Sequence, residues 1–150
     1  MSRIWVNGVF DLMHYGHMHF LQEAEKLANF IVVWLNSDLS VERLKKSHQR
    51  IQVQDMRRAQ IACVCHKLAN VWIFDEENPI SAWERAIKRD DKYLPDFYAK
   101  DEHFFETRPP EYYWLKDHRV KMVLIPRVPN ISTTSLIHKI QGLQSPQGAA

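Results

Sequence analysis

Two short, continuously apolar runs, each stopping at polar, turn-forming residues, constrain this chain more than any other feature. Ile4-Trp5-Val6 runs into Asn7-Gly8, and residues 30–35, Phe-Ile-Val-Val-Trp-Leu, stop at Asn36-Ser37-Asp38. A strand with one face in water alternates apolar and polar side chains. A run that is apolar throughout needs cover on both faces, which parallel strands flanked by helices provide. Over residues 16–28, Met18, Leu21, Ala24 and Ala28 recur at helical spacing while Gln22, Glu23, Glu25 and Lys26 fall elsewhere. The pattern predicts a strand, helix, strand unit.

The alternation continues. Residues 54–68 read as a helix with Met56, Ala59, Cys63 and, as a further candidate, Ala62 facing inward, and residues 71–74 as the next strand. Pro79 suits the first position of a helix running to about Lys88. Residues 97–99 and 120–125 are further strands, and residues 132–141 form a helix with Leu136, Ile137 and Ile140 inward. The sum is an α/β, Rossmann-like doubly wound parallel sheet. Ligands of such sheets bind beyond the carboxyl ends of the strands, so the informative segments follow Asn7, Leu35, Phe74, Ala99 and Ile125. Residues 101–118 combine charge, Pro109-Pro110 and aromatics without a clean period, which predicts a mobile flap with Trp114 as a contact. One domain is expected over residues 1–141, with a disordered tail over 142–150.

Composition narrows the class. A chain of 150 residues, 45% hydrophobic and 25% charged with only 4 Gly, is a globular domain with one core. Its +2 net charge, 20 basic against 18 acidic residues, argues against a nucleic-acid backbone as main partner. The basic cluster from Lys45 to Arg58 also lacks the interleaved aromatics that RNA binding uses. The longest apolar run is too short for a bilayer, and the N-terminus lacks a signal-peptide plan. With only two cysteines, Cys63 and Cys65, both expected within the helix, a cytoplasmic, reducing setting and no membrane partner are expected.

The chemistry concentrates at strand ends. After the first strand comes Asn7-Gly8-Val9-Phe10-Asp11-Leu12-Met13-His14-Tyr15-Gly16-His17. A helix N-terminus offers unpaired N–H groups to an anion, Gly16 leaves room for a phosphate, and imidazole N–H donors can stabilise a leaving group. One histidine at such a junction would be unremarkable, but the pair together with Gly8, Asp11 and Gly16 points to a phosphate site. His14, His17 and His19 have no cysteine or carboxylate at ligand spacing, so no metal site is expected. Ser132-Thr133-Thr134 opens the last helix near Arg127, a second anion cradle.

Here the residues resemble a family. Residues 8–17 resemble the signature of the cytidylyltransferase-like nucleotidyltransferases, with its paired-histidine HxGH motif. Residues 127–134 are similar to that family's RTxGISTT segment, with Val128 for Thr and Asn130 for Gly. Asn tolerates left-handed backbone, so the turn can survive while one hydroxyl contact is lost. The resemblance covers residues 4–79, 95–104 and 120–140.

The resemblance implies transfer of a nucleoside monophosphate from a nucleoside triphosphate to a phosphorylated small molecule, with release of pyrophosphate. It places His14 and His17 on the leaving-group side, Lys45 or Lys46 against the phosphates, and Arg58 at the family's helix-start arginine. Arg127, Ile131, Ser132, Thr133 and Thr134 would hold phosphates. Gly8, Val9, Phe10, Asp11, Gly16, Lys100 and Asp101 would line the nucleotide site. Asp11 or Asp38 would orient neighbouring groups or magnesium, which accompanies the triphosphate. Asp101 and Glu102 stand where the family has a glycine-bearing loop, and Phe104 keeps its aromatic position. The final motif favours CTP with an alcohol phosphate. Residues 36–45 and 74–79 instead resemble the adenylyltransferase domain that activates heptose 1-phosphate, which makes ATP the alternative. A homodimer is implied. A nucleotide sensor without catalysis is the reading from another class, suggested by the altered 101–102 and 128 positions.

Overall fold

The structure, a computed structural model, describes residues 1–44 and 51–143. β1 (Arg3–Gly8) leads through α1 (Tyr15–Lys26) to β2 (Phe30–Asn36), and α2 (Asp38–Arg43) and α3 (Gln54–Val64) precede β3 (Leu68–Phe74). α4 (Ile80–Arg89) and a 3-10 turn, Asp91–Tyr93, lead to β4 (Phe97–Lys100). α5 (Glu102–Thr107) and α6 (Pro110–Asp117) lead to β5 (Lys121–Leu124), and α7 (Thr133–Gln141) follows. The five strands are parallel in the order β3-β2-β1-β4-β5.

Both faces of the sheet are covered, which is why the strands read as unbroken apolar runs. Ile4, Val6, Ile31, Val33 and Leu35 point to one face and meet Leu21 and Ala24 of α1 and Ile61 of α3. Trp5, Val32, Trp34 and Tyr98 point to the other, where Trp83 of α4, Phe104 of α5 and Trp114 and Leu115 of α6 cover them. All five tryptophans lie in this second layer, Trp72 packing at its margin. Trp5 meets Trp34 edge-on at 4.9 Å, and Trp83 lies 5.1 Å from Trp114. Each fully buried large apolar side chain contributes on the order of 2 kcal/mol.

The strand order reverses between β1 and β4. β1 pairs with β2 on one side, through the α1 crossover, and with β4 on the other. The carboxyl ends of β1 and β4 therefore diverge at a switch point, where a crevice opens.

Several expectations need correction. Residues 101–118 are not a mobile flap: they fold into α5 and α6, and Phe104, Trp114 and Leu115 are buried, which anchors both helices. The helix expected over 54–68 ends at Val64, so Cys65 lies at its C-cap and Leu68 already starts β3. Met56, Ala59, Ala62 and Cys63 are exposed, and the inward stripe is Arg57 and Ile61. The apolar count misled because a buried guanidinium, making four hydrogen bonds, occupies a core position. Met18 is exposed, and Pro79 is the N-cap of α4 rather than its first residue. On α7, Leu136 and Ile137 are only half-buried and Ile140 is 60% exposed, so this helix packs no residue fully into the core. The expected tail lies, beyond residue 143, outside the described residues. Among the described residues no helix is long and apolar enough to cross a membrane.

Candidate active site

The crevice at the switch point is a cleft of about 280 Å³. The β1 end supplies Asn7, Gly8, Val9 and Phe10; the start of α1 supplies His14, Gly16 and His17; Lys100 and Asp101 follow β4. Arg127, Val128, Ile131, Ser132 and Thr133 close the side beyond β5.

His14 is the N-cap of α1 in extended backbone, φ −129° and ψ 176°. Its Nδ1 accepts from the backbone N–H of Gly16 at 3.0 Å and of His17 at 3.4 Å. His17 reciprocates, its Nδ1 accepting from the His14 N–H at 3.3 Å, so two imidazoles form the capping box that Ser and Glu usually supply. The rings stack with centroids 3.8 Å apart. An Nδ1 that accepts carries no proton, so each neutral ring keeps its proton on Nε2 and remains a donor. Burial lowers the pKa of His14, and burial together with the neighbouring His14 brings His17 down to about 4. Both are neutral donors near neutral pH.

The glycines serve these rings. A Cβ on Gly16 would lie 2.8 Å from His14 Cε1 and 3.4 Å from Ile131 Cγ2. The room expected for a phosphate at Gly16 is thus taken by the capping imidazole, and Ile131 joins the two motifs at this point. A Cβ on Gly8 would lie 3.1 Å from the Phe10 ring, which sits edge-on to His17. Phe10 and Leu12 hold φ of 50° and 48°, a left-handed conformation costing on the order of 1 kcal/mol each in non-glycine residues. The loop is strained where it turns into the capping histidine.

Asp11 is buried and spends its carboxylate on backbone: Oδ1 accepts from Leu12 at 3.0 Å and Gln52 at 2.9 Å, and Oδ2 from Ile51. It therefore ties residues 51–52 to the β1–α1 loop. Arg57, fully buried, donates to Gln52 O at 3.0 Å, Val9 O at 2.9 Å, Asn36 O at 2.7 Å and Asp38 Oδ1 at 2.8 Å. One guanidinium thus pins the ends of β1 and β2 together. Arg58, the residue matched to the family arginine, is exposed and absent from the cleft lining. The burial of Arg57 is what sequence reasoning missed, where function and a solvated basic face stand as equal readings; continuing the stripe back from Ile61 by one helical turn would have found it.

At the far side, Asn130 adopts φ 61°, so Asn does fill the left-handed position expected of Gly. Ser132 caps α7, accepting from Ser135 N at 3.0 Å, and Thr133 Oγ1 donates to Asp11 O at 3.0 Å. Ser132 and Thr133 line the cleft, whereas Thr134 is exposed and does not, so three hydroxyls do not converge. Arg127, 65% exposed at its side chain, pairs through Nε with Asp101 Oδ2 at 2.5 Å. Lys100 Nζ donates to Asn7 O at 3.0 Å. Lys45 and Lys46 lie outside the described residues.

Among the described residues no three His, Cys, Asp or Glu groups converge to hold a metal ion. With Asp11 given to three backbone N–H groups and Asp38 facing Arg57, the donor set does not fit a protein-held magnesium. The cysteines are separate: Cys63 is exposed, while burial, then Glu25, pushes the Cys65 thiol up to about 12.

A parallel sheet with a histidine-capped helix and a Ser/Thr-capped helix facing one crevice defines a Rossmann-like domain of the nucleotidyltransferase type. The cytidylyltransferase-like family model matches residues 5–139, and the chain belongs to that family. It is 32% identical over 141 residues, 94% of the chain, to the bifunctional protein HldE of Campylobacter fetus, of which it spans 28%. The HldE of Blochmanniella floridana is 43% identical over 77 residues, 51% of the chain and 16% of that protein. The chain thus spans about a quarter of the relatives it matches end to end. Among solved structures, a lipopolysaccharide core biosynthesis protein from Thermoplasma volcanium superposes with TM-score 0.61 at 22% identity, over 85% of this chain and 97% of that one. A pantothenate synthetase from Thermus thermophilus gives 0.59 at 14%, over 91% and 61%. Both likenesses are of fold.

Proposed function

We propose that this chain transfers a nucleoside monophosphate from a nucleoside triphosphate to a phosphorylated small molecule, releasing pyrophosphate. The reciprocal cap of His14 and His17 carries the reading: it consumes both Nδ1 atoms and leaves two neutral Nε2–H donors beside a helix N-terminus in the cleft. An acceptor phosphate oxygen attacks the α-phosphorus in line. The bond from that phosphorus to the bridging oxygen breaks, and the electron pair leaves with pyrophosphate. No protein nucleophile is needed, so the chain's task is to position the reactants and stabilise charge.

His14 and His17 donate to the departing pyrophosphate, each worth about 3 to 4 kcal/mol in the transition state by analogy with other preorganised donors. The starts of α1 and α7, with Ser132, Thr133 and Arg127, hold phosphate oxygens, and Lys45 or Lys46 neutralises their charge. Magnesium enters as part of the nucleotide substrate.

For the base and acceptor, the resemblance of residues 36–45 and 74–79 to the heptose 1-phosphate adenylyltransferase domain favours ATP and a sugar 1-phosphate. HldE relatives matching along the whole chain support that choice. CTP with an alcohol phosphate is the second reading, favoured by residues 127–134. Pyrophosphate release from CTP, ATP, GTP and UTP, each with heptose 1-phosphate and glycerol 3-phosphate, tests both. Selective nucleotide binding without pyrophosphate from any pair would make the chain a sensor instead. The homodimer belongs to the same proposal and is read by sedimentation equilibrium.

A further inference from the structure

We propose that Asp101 is a positioning residue for Arg127, and that with Glu102 it forms an acidic latch that sets where this arginine meets substrate phosphate. The inference rests on the nucleotidyl-transfer reading above and deepens it. Two contacts join the β4–α5 junction to the segment after β5. Asp101 Oδ2 takes Arg127 Nε at 2.5 Å, and the Glu102 carboxylate accepts from the Arg127 backbone N–H at 3.2 and 3.3 Å. One acid fixes the side chain and the next fixes the backbone of the same residue.

Arg127 needs such a device. It leaves the sheet after Ile125 and its side chain is 65% exposed. An arginine holding a carboxylate through Nε still presents its terminal N–H groups, and losing one rotatable degree of freedom lowers the entropy lost on meeting phosphate. Asp101 is itself fixed: it caps α5, Oδ1 accepting from Phe104 N at 3.4 Å, and Phe104 is buried. The latch is thus anchored in the tryptophan-rich layer and reaches into the cleft, which both Asp101 and Arg127 line. The acids also offset the positive charge at this rim, so order is gained at some expense of attraction for a polyanion.

A double-mutant cycle over Asp101→Ser, Arg127→Ala and both together tests this. Serine keeps the α5 cap and removes the carboxylate, and each variant's melting temperature reports folding. In the wild-type background Asp101→Ser is expected to lower both kcat/KM and the affinity for the magnesium nucleotide about fivefold, and in the Arg127→Ala background less than about twofold. Asp101→Glu, which restores the charge, should recover part of the loss. The Arg127 Nε–H resonance, expected to be protected from exchange in the wild type and unprotected in Asp101→Ser, reads the latch with no substrate present. Equal effects of Asp101→Ser in both backgrounds, or an unprotected wild-type resonance, overturn the proposal while leaving nucleotidyl transfer standing. A protected resonance in a protein that releases no pyrophosphate with any pair overturns the activity and keeps the latch.

Discussion

His14 and His17 cap one another: each ring's Nδ1 accepts from backbone N–H of the other's turn, and the rings stack at 3.8 Å. On the nucleotidyl-transfer reading proposed above, fold and chemistry use opposite atoms of the same side chains. Nδ1 closes the first turn of α1, and Nε2 keeps the remaining N–H.

Replacement of His14 should separate the two roles. Asn is a good N-cap, so His14→Asn is expected to keep most of the stability, whereas His14→Ala loses about 1 kcal/mol. Both should lower kcat about 100- to 1000-fold, since neither supplies the donor. Pyrophosphate release and denaturant melts together check this; full turnover by a folded His17→Ala protein would remove the histidines from the mechanism.

Stability should fall with acid before the ordinary carboxylates titrate. The unfolded chain protonates His17 near 6.5 and the folded chain only near about 4, so stability rises with pH across that window and is lost as pH drops through it. The full effect is on the order of 3 kcal/mol by pH 4, with His14 acting in the same direction. Urea melts between pH 6.5 and 4.5 should show a slope that is shallower in His17→Asn.

Gly16→Ala places a methyl group 2.8 Å from the His14 ring, which must move or unstack. Helicity should be retained while activity falls at least about tenfold, because the displaced ring loses its donor alignment. Retained activity with unchanged imidazole tautomers, by long-range nitrogen–proton spectra, would refute the packing argument.

Adjacent arginines should behave oppositely. Arg57→Met removes the bonds to the Val9, Asn36 and Gln52 carbonyls and to the Asp38 carboxylate, and about 3 to 5 kcal/mol of stability should be lost. Arg58→Ala, on the exposed face, should change stability by less than about 0.5 kcal/mol. Chemical denaturation of the two variants decides.

The sequence made the sheet legible because burial on both faces leaves Ile4 to Val6 and residues 30–35 without a polar position. Both helix-start motifs were legible too, since capping is local. Arg57 was hidden: its burial depends on the carbonyls of Val9, Asn36 and Gln52, up to 48 residues away. Gly16 was read as space for a ligand because the rotamer of His14 is not written in the spacing. The helices at 102–117 were obscured because their core contacts, Phe104, Trp114 and Leu115, are spread over two short segments broken at Pro109-Pro110.

Collecting every tryptophan on the α4–α6 side of the sheet gives the molecule a one-sided optical voice. Indole emission originates from Trp5, Trp34, Trp72, Trp83 and Trp114, whose rings lie close enough for exchange of excitation. The layer of Leu21, Ala24 and Ile61 contributes no such chromophore. A melt followed by indole fluorescence therefore reports one half of the core, and agreement with far-ultraviolet helicity is what would establish that the two halves come apart together.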